Sequence, residues 1–399
     1  MVSIFVVGTA ILFYNNDKMR ILSYLKKIGD KSFKEQRLND VDALIFSELS
    51  YINFHLLTKG QNQEICLKDI TDEEMNNKAV FEGSVDAKKN AKMLDLMRKS
   101  VRFKDCVVKE VVNKFSVEEE NQFYCFLIVL PTKQLFISYR GTDTTLTGWK
   151  EDFLLSVYAR IRAQVQGEMY LNDILKRYPG RIYLGGHSKG GNIAFYAALN
   201  IDHKEHFRLV GAYSFDGPGF KDGIDKYKST ALVKGRLIKY LTFNNVIGSL
   251  YGDIDHVKVV YSFGILGGHD PFNWQIVNST GRFRLAYDVS RSSKRLNRKF
   301  MGWLDTLSLQ QKLLTVDAFF RVFGSGNNTI YDLAKNFLKN LFTVKKSLAV
   351  YSSEEKIEIK KVLRSLLGFM FKEKRMRRRL FLKEEAEDVS VTLDKEKDN

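Results

Sequence analysis

A serine set among small residues is the first place in this sequence where residue types and spacing point to chemistry. Residues 181–199 read RIYLGGHSKGGNIAFYAAL, and Gly186-His187-Ser188-Lys189-Gly190 within them is G-x-S-x-G. An apolar β-type run (Ile182, Tyr183, Leu184) enters the motif, and an alanine-rich run at helical spacing leaves it. On a strained strand-to-helix turn of this kind the serine hydroxyl is lifted above the sheet, where it can act as a nucleophile. Gly186 and Gly190 leave room where the strand and helix backbones meet. Gly190/Gly191, Ala194 and Ala197/Ala198 recur at helical spacing, a small-residue face that can lie close on a sheet. The plainer alternative is a glycine-rich turn that happens to hold a serine. The strand before and the small-faced helix after favour the elbow.

A serine nucleophile needs a base, and the base needs an orienting group. The chain has six histidines. In an α/β-type triad the chain order is Ser, acid, His, so His55 and His187 come too early. His203 and His206 follow the elbow helix directly, which puts them at the far end of a parallel sheet. His256 begins a strand, again at the wrong end. His269, in Gly267-Gly268-His269-Asp270-Pro271-Phe272, follows the last strand-like run and is the candidate base. The carboxylates between Ser188 and His269 are Asp202, Glu205, Asp216, Asp222, Asp225, Asp253 and Asp255. Only Asp216, in Phe215-Asp216-Gly217-Pro218-Gly219, ends a strand on the serine's edge, so it is the candidate acid. Its alternative is an Asp-Gly turn. A further stretch is Tyr139-Arg140-Gly141-Thr142-Asp143, followed by residues 148–153 (GWKEDF). Backbone N–H groups at such a strand end can join the Lys189 N–H in holding an oxyanion. Otherwise it is a strand-end turn, with Trp149 in the core and Asp152 at a helix start.

Taken together, YRGTD…GWKEDF, GGHSKGGNIAFYAAL, SFDGPGF and GGHDPFNW resemble a bacterial branch of lipase-like α/β-hydrolases that is similar to the class 3 triacylglycerol lipases. The resemblance covers roughly residues 20–280, and four ordered motifs are far more specific than one elbow. It implies an α/β-hydrolase fold with Ser188 as nucleophile and His269 as its base. It also implies oxyanion-hole amides from Thr142 and Lys189, with Asp152 orienting Thr142. At the triad acid the chain departs from the class 3 pattern. Those lipases carry an Asp just after the next-to-last core strand, where this chain has Phe243-Asn244-Asn245-Val246-Ile247-Gly248. Either Asp216 serves, where other α/β-hydrolases such as the pancreatic lipases place their acid, or the triad is degraded.

A sheet must bring these residues to one edge. Residues 123–130 (FYCFLIVL) and 134–139 (QLFISY) predict paired strands joined by Pro131-Thr132-Lys133. A helix is expected around residues 160–178, and strand-like runs follow at 208–215, 237–243 and 257–263. Strands alternating with helices predict the α/β class, a mainly parallel sheet covered on both faces. Residues 41–57 are apolar at helical spacing and predict a helix over one face, whereas residues 60–120 are polar and charged with helical pieces. The expected organisation is an N-terminal extension over 1–18, because the amphipathic pattern begins at Met19. An α/β-hydrolase-like catalytic domain over 19–285, a helical region over 286–383 and an acidic, polar tail over 384–399 follow.

With 399 residues, 44% of them hydrophobic, the chain can bury one large α/β domain with appendages. Its net charge is +16, and residues 282–399 supply +11 of it from 26 Lys/Arg against 15 Asp/Glu. Within that region residues 372–379 (KEKRMRRR) hold six cations beside a stripe of Ile359, Val362/Leu363, Leu366 and Phe369/Met370. Such a segment suits a basic helix packed on the domain, or one lying on an anionic membrane surface. No nucleic-acid motif accompanies the charge, so no nucleic-acid partner is expected. Three cysteines without C-x-x-C spacing give neither a disulfide framework nor a metal site, which fits a reducing cytoplasm. The apolar run over residues 2–14 is too short to span a bilayer. The expected function is a serine esterase or lipase-like hydrolase acting on a small acyl ester or lipid without a cofactor. It would be cytoplasmic, with membrane association through the basic helix as a further option. The rival, motivated by Asn244 and Asn245, is a catalytically silent scaffold that binds lipid or protein.

Overall fold

The computed structural model describes residues 18–58, 63–84, 86–116, 121–142, 155, 158, 160–245, 248–252, 254, 256–262, 268–277, 280–324, 351–362 and 364–365. Residues 1–17, Asp152, the basic stretch 372–379 and the tail 384–399 lie outside them. In chain order the strands are β1 (Lys18–Met19), β2 (Ile65–Cys66), β3 (Val107–Ser116), β4 (Asn121–Val129), β5 (Leu135–Tyr139) and β6 (Ile182–His187). They continue with β7 (Leu209–Phe215), β8 (Leu237–Thr242), β9 (Val257–Val260), β10 (Ile276–Val277), β11 (Arg282–Phe283) and β12 (Leu285–Ala286).

Among the described residues nine strands form one sheet in the order β12-β9-β8-β7-β6-β5-β4-β3-β2. Strands β5 to β9 pair in parallel. The expected hairpin β4–β5 is antiparallel. Three helices position the site: α1 (Asp40–Glu48), α2 (Arg162–Arg177) and α3 (Lys189–Leu199). The period of two along β5 assigns them to opposite faces. Phe136 packs on Phe46 of α1 with ring centroids 5.2 Å apart, and Ser138 Oγ donates to the Phe46 carbonyl at 2.7 Å. Tyr139, of the other parity, donates its hydroxyl to the Gly167 carbonyl of α2 at 3.0 Å. A methyl group on Gly167 would come within 2.5 Å of Ile193 in α3, so α2 and α3 lie close together on that second face.

Two elements differ from expectation. The run over 41–57 is helical only to Glu48 and continues as 3₁₀ turns at Leu49–Tyr51 and Phe54–Leu56. Strand β3 falls inside the polar stretch 60–120. Its alternation is broken by a bulge between Lys109 and Val112, where Glu110 has φ 55°, so the two-residue period that marks a strand is interrupted. At the N-terminus Lys18 pairs with Val277 and Met19 with Ile276, so a boundary after residue 18 crosses a strand.

The compact unit holding the sheet runs to Met301. After the sheet come α4 (Arg291–Asp305) and α5 (Leu309–Gly324). Gly302–Asn327 belongs to a second unit together with residues after 331. There Gln311 Nε2 donates to Glu358 Oε2 at 2.8 Å, and Ile359 and Val362, the described start of the apolar stripe, are buried. Among the described residues no helix is long and apolar enough to cross a membrane.

Candidate active site

The site begins at the ends of two neighbouring strands. Ser188 follows β6 directly, and its backbone has φ 56° and ψ −129°, a conformation that costs a non-glycine residue on the order of 1–3 kcal/mol. Its N–H stays in the ladder, donating to Phe215 O at 2.9 Å. Asp216 repeats the arrangement one strand over. It follows β7, has φ 53°, and its N–H donates to Tyr240 O at 2.8 Å. Adjacent parallel strands thus deliver a hydroxyl and a carboxylate to the same edge. The tight crossing at the turn explains the glycines. A Cβ on Gly190 would stand 2.1 Å from the Tyr139 carbonyl oxygen, and one on Gly186 would stand 2.2 Å from the Gly190 backbone.

His269 joins the two. Its Nδ1 lies 2.6 Å from Asp216 Oδ2, and its Nε2 lies 3.1 Å from Ser188 Oγ. A carboxylate only accepts, so Nδ1 carries the hydrogen and Nε2 is the acceptor facing the serine. The loop around the histidine is pinned by the rest of the GGHDPFNW motif. Trp274, fully buried, donates its indole N–H to Gly268 O at 3.0 Å. Asp270 caps the turn Pro271–Asn273 and pairs with Lys89 at 3.0 Å. Replacing so large a buried ring with alanine would cost about 3–5 kcal/mol.

The segment that departs from the class 3 pattern also reaches the site. Asn245 is buried and donates its side-chain amide to Asp216 Oδ1, which also accepts from Thr242 N at 3.3 Å. The Asn245 carbonyl is fixed in turn by Ser249 N at 2.7 Å. The strand end after β8 therefore supplies a donor to the carboxylate where the class 3 pattern has a carboxylate of its own. In sequence Asn244 and Asn245 are indistinguishable amides, and the register after β8 decides between them.

On the other side of Ser188 lies the turn after β5. A Cβ on Gly141 would be 3.3 Å from Ser188 Cβ, which brings Gly141 against the serine, with Thr142 next in the chain. Arg140 anchors this turn from within. Its Nη2 donates to Ile52 O at 3.1 Å and to Asn53 Oδ1 at 2.9 Å, and its guanidinium lies 3.6 Å from the Tyr124 ring centroid. Lys189 opens α3, and N–H groups at a helix start point out of the helix. Its side chain is buried and donates to Gln122 O at 3.2 Å. Asp152, named for orienting Thr142, lies outside the described residues. His187, set aside by chain order as a base, sits behind Ser188 with Tyr51 and Glu48, two residues that nothing in the sequence singled out.

A largely parallel sheet with a serine on a strand-to-helix turn, and an acid and an imidazole at later strand ends, defines the α/β-hydrolase class. The chain belongs to the Mbeg1-like family, a lipase-like family whose model matches residues 97–321. That span reaches beyond the quoted motifs into the C-terminal helices. The finer likeness to class 3 lipases rests on the sequence motifs. No curated protein matches the chain.

Proposed function

We propose that this protein is a serine hydrolase of the esterase or lipase-like type, cleaving a carboxylic ester of a small acyl or lipid substrate. One observation carries this: the unbroken chain of hydrogen bonds from Ser188 Oγ through His269 to Asp216, at 3.1 and 2.6 Å. Ser188 Oγ attacks the ester carbonyl carbon while its proton passes to His269 Nε2. Asp216 holds the imidazole in the tautomer that can accept this proton and stabilises the imidazolium that results. The oxyanion of the tetrahedral intermediate faces the backbone N–H groups of Thr142 and Lys189. Collapse expels the alcohol, which takes the proton back from Nε2 and leaves an acyl ester on Ser188. Water deprotonated by the same histidine then attacks that ester and releases the acid.

Hydrolysis of p-nitrophenyl esters of increasing acyl length tests the proposal and grades the substrate in one series. Ser188→Ala and His269→Ala should each lower kcat by several orders of magnitude, up to about 10⁶, with the fold retained. A well-folded Ser188→Ala protein that keeps full activity would refute the assignment of the nucleophile.

A further inference from the structure

The residue before Ser188 is buried, and the mechanism above gives it no task. His187 Nε2 lies 2.8 Å from the carbonyl oxygen of His269, and its Nδ1 lies 3.1 Å from the Tyr51 hydroxyl. A carbonyl only accepts, so Nε2 carries the hydrogen. In a neutral ring Nδ1 then accepts from the tyrosine. The two imidazoles pack with centroids 4.5 Å apart. Tyr51 also borders the turn after β5, because a Cβ on Gly141 would come within 2.3 Å of its hydroxyl and 2.5 Å of the His187 carbonyl oxygen.

We propose that His187 is a positioning residue for this site: its Nε2–H fixes the backbone of His269, and Tyr51 holds the tautomer that makes this donation. The role rests on the serine-hydrolase reading of Ser188, His269 and Asp216. Three successive residues of the histidine loop are each held by a different side chain. Gly268 O accepts from Trp274, His269 O accepts from His187, and Asp270 pairs with Lys89. Of the three holders, only His187 is bonded to the base residue itself. It is also joined to Ser188 by one peptide bond, so it ties the backbone of the base residue to that of the nucleophile.

The ring does this without charge. Burial pushes His187 well below the usual imidazole range, and the neighbouring His269 adds to the shift. The acid facing it, Glu48, has Oε1 3.6 Å from Nδ1. Burial, with a contribution from Asp270, holds that carboxyl well above its usual range, which favours its neutral form. A second imidazolium beside His269 would oppose the charge that His269 takes up during the reaction. A neutral donor positions the base without that opposition.

Two amide variants separate positioning from packing in the full chain. A glutamine amide nitrogen reaches where His187 Nε2 lies, whereas an asparagine amide reaches only as far as Nδ1 and keeps the Tyr51 side alone. His187→Asn should lower kcat for p-nitrophenyl acetate by about 10- to 100-fold, with KM changed less than about twofold. His187→Gln should recover most of that loss. The downfield proton resonance of His269 Nδ1–H should shift or broaden in His187→Asn and return in His187→Gln. Wild-type kcat and an unaltered resonance in His187→Asn would overturn the role. So would a His187→Gln protein as impaired as His187→Asn, the result a packing role predicts. If the wild-type protein hydrolyses no ester, the hydrolase reading fails by itself. The resonance compared across the three proteins still decides whether His187 positions His269.

Discussion

Asp42 and Asp216 are both carboxylates removed from solvent, and they are held in opposite ways. Asp42 receives the Arg102 guanidinium through Nε at 3.0 Å and through Nη2, with the Tyr24 hydroxyl and the Asn39 N–H each at 3.1 Å. Arg102 turns its remaining donors to the carbonyls of Lys31, Gln36 and Arg37 at 3.1, 2.9 and 3.2 Å. An arginine stays charged at any working pH, so this pair is closed. Asp216 receives the Thr242 N–H, the Asn245 amide and His269 Nδ1. None of those three carries a fixed charge. Its negative charge is balanced when His269 takes a second proton, the state the proposed reaction forms. A permanent cation marks the carboxylate that holds the fold, and a neutral imidazole faces the one to which we assign a part in proton transfer.

Exchanging the two kinds of partner should separate activity from stability. The largest effect is expected at Asp216. Asp216→Asn favours the wrong tautomer of His269 and should lower kcat by about 10⁴ with little change in KM or Tm. Retention of most activity would remove Asp216 from the triad, with Asn245 the next orienting group to test. At the structural carboxylate the balance reverses. Arg102→Met leaves the Asp42 charge buried without its cation and should cost about 3–5 kcal/mol in urea unfolding. The turnover of the molecules that remain folded should be unaltered. A selective loss of kcat there would break the distinction.

Smaller effects sharpen it. Asn245→Ala removes one neutral donor from Asp216 and should lower kcat by about 10- to 100-fold, while the folded fraction stays near that of the wild type. The smallest is a pH effect on stability from His187, an imidazole buried behind Ser188. Burial, with the neighbouring His269, holds its pKa in the folded protein well below the ordinary imidazole value of 6.5. As pH falls below that value the unfolded chain takes a proton that the folded chain refuses, so stability drops. The slope is at most about 1.4 kcal/mol per pH unit and ends only once the folded-state pKa is passed. His187→Gln should flatten this part of the stability curve, read from urea midpoints between pH 7 and pH 5. An identical slope in wild type and variant would place the responsible group elsewhere.

Much of this candidate site is legible in the sequence, for physical reasons. Glycines at 186 and 190 report a backbone crossing that tolerates no Cβ. Parallel connectivity sends every strand's C-terminal end to one edge, so chain order alone could choose Asp216 and His269 from their rivals. The β3 strand was hidden because the Glu110 bulge breaks its alternation. Tyr51 and Glu48 were hidden because their run looks like core at helical spacing. Their meeting with His187 joins positions 136 residues apart in the case of Tyr51. Nothing local to either partner announces such a contact.

The most direct measurement is labelling of the full chain with a fluorophosphonate probe, followed by mass spectrometry of its peptides. A phosphonate bonded to Ser188 mimics the tetrahedral species and requires the serine to be activated by its base. One labelled residue is expected, Ser188, with labelling abolished in Ser188→Ala and strongly slowed in His269→Ala. Absence of labelling in the folded wild-type protein, or labelling that persists in Ser188→Ala, would contradict it.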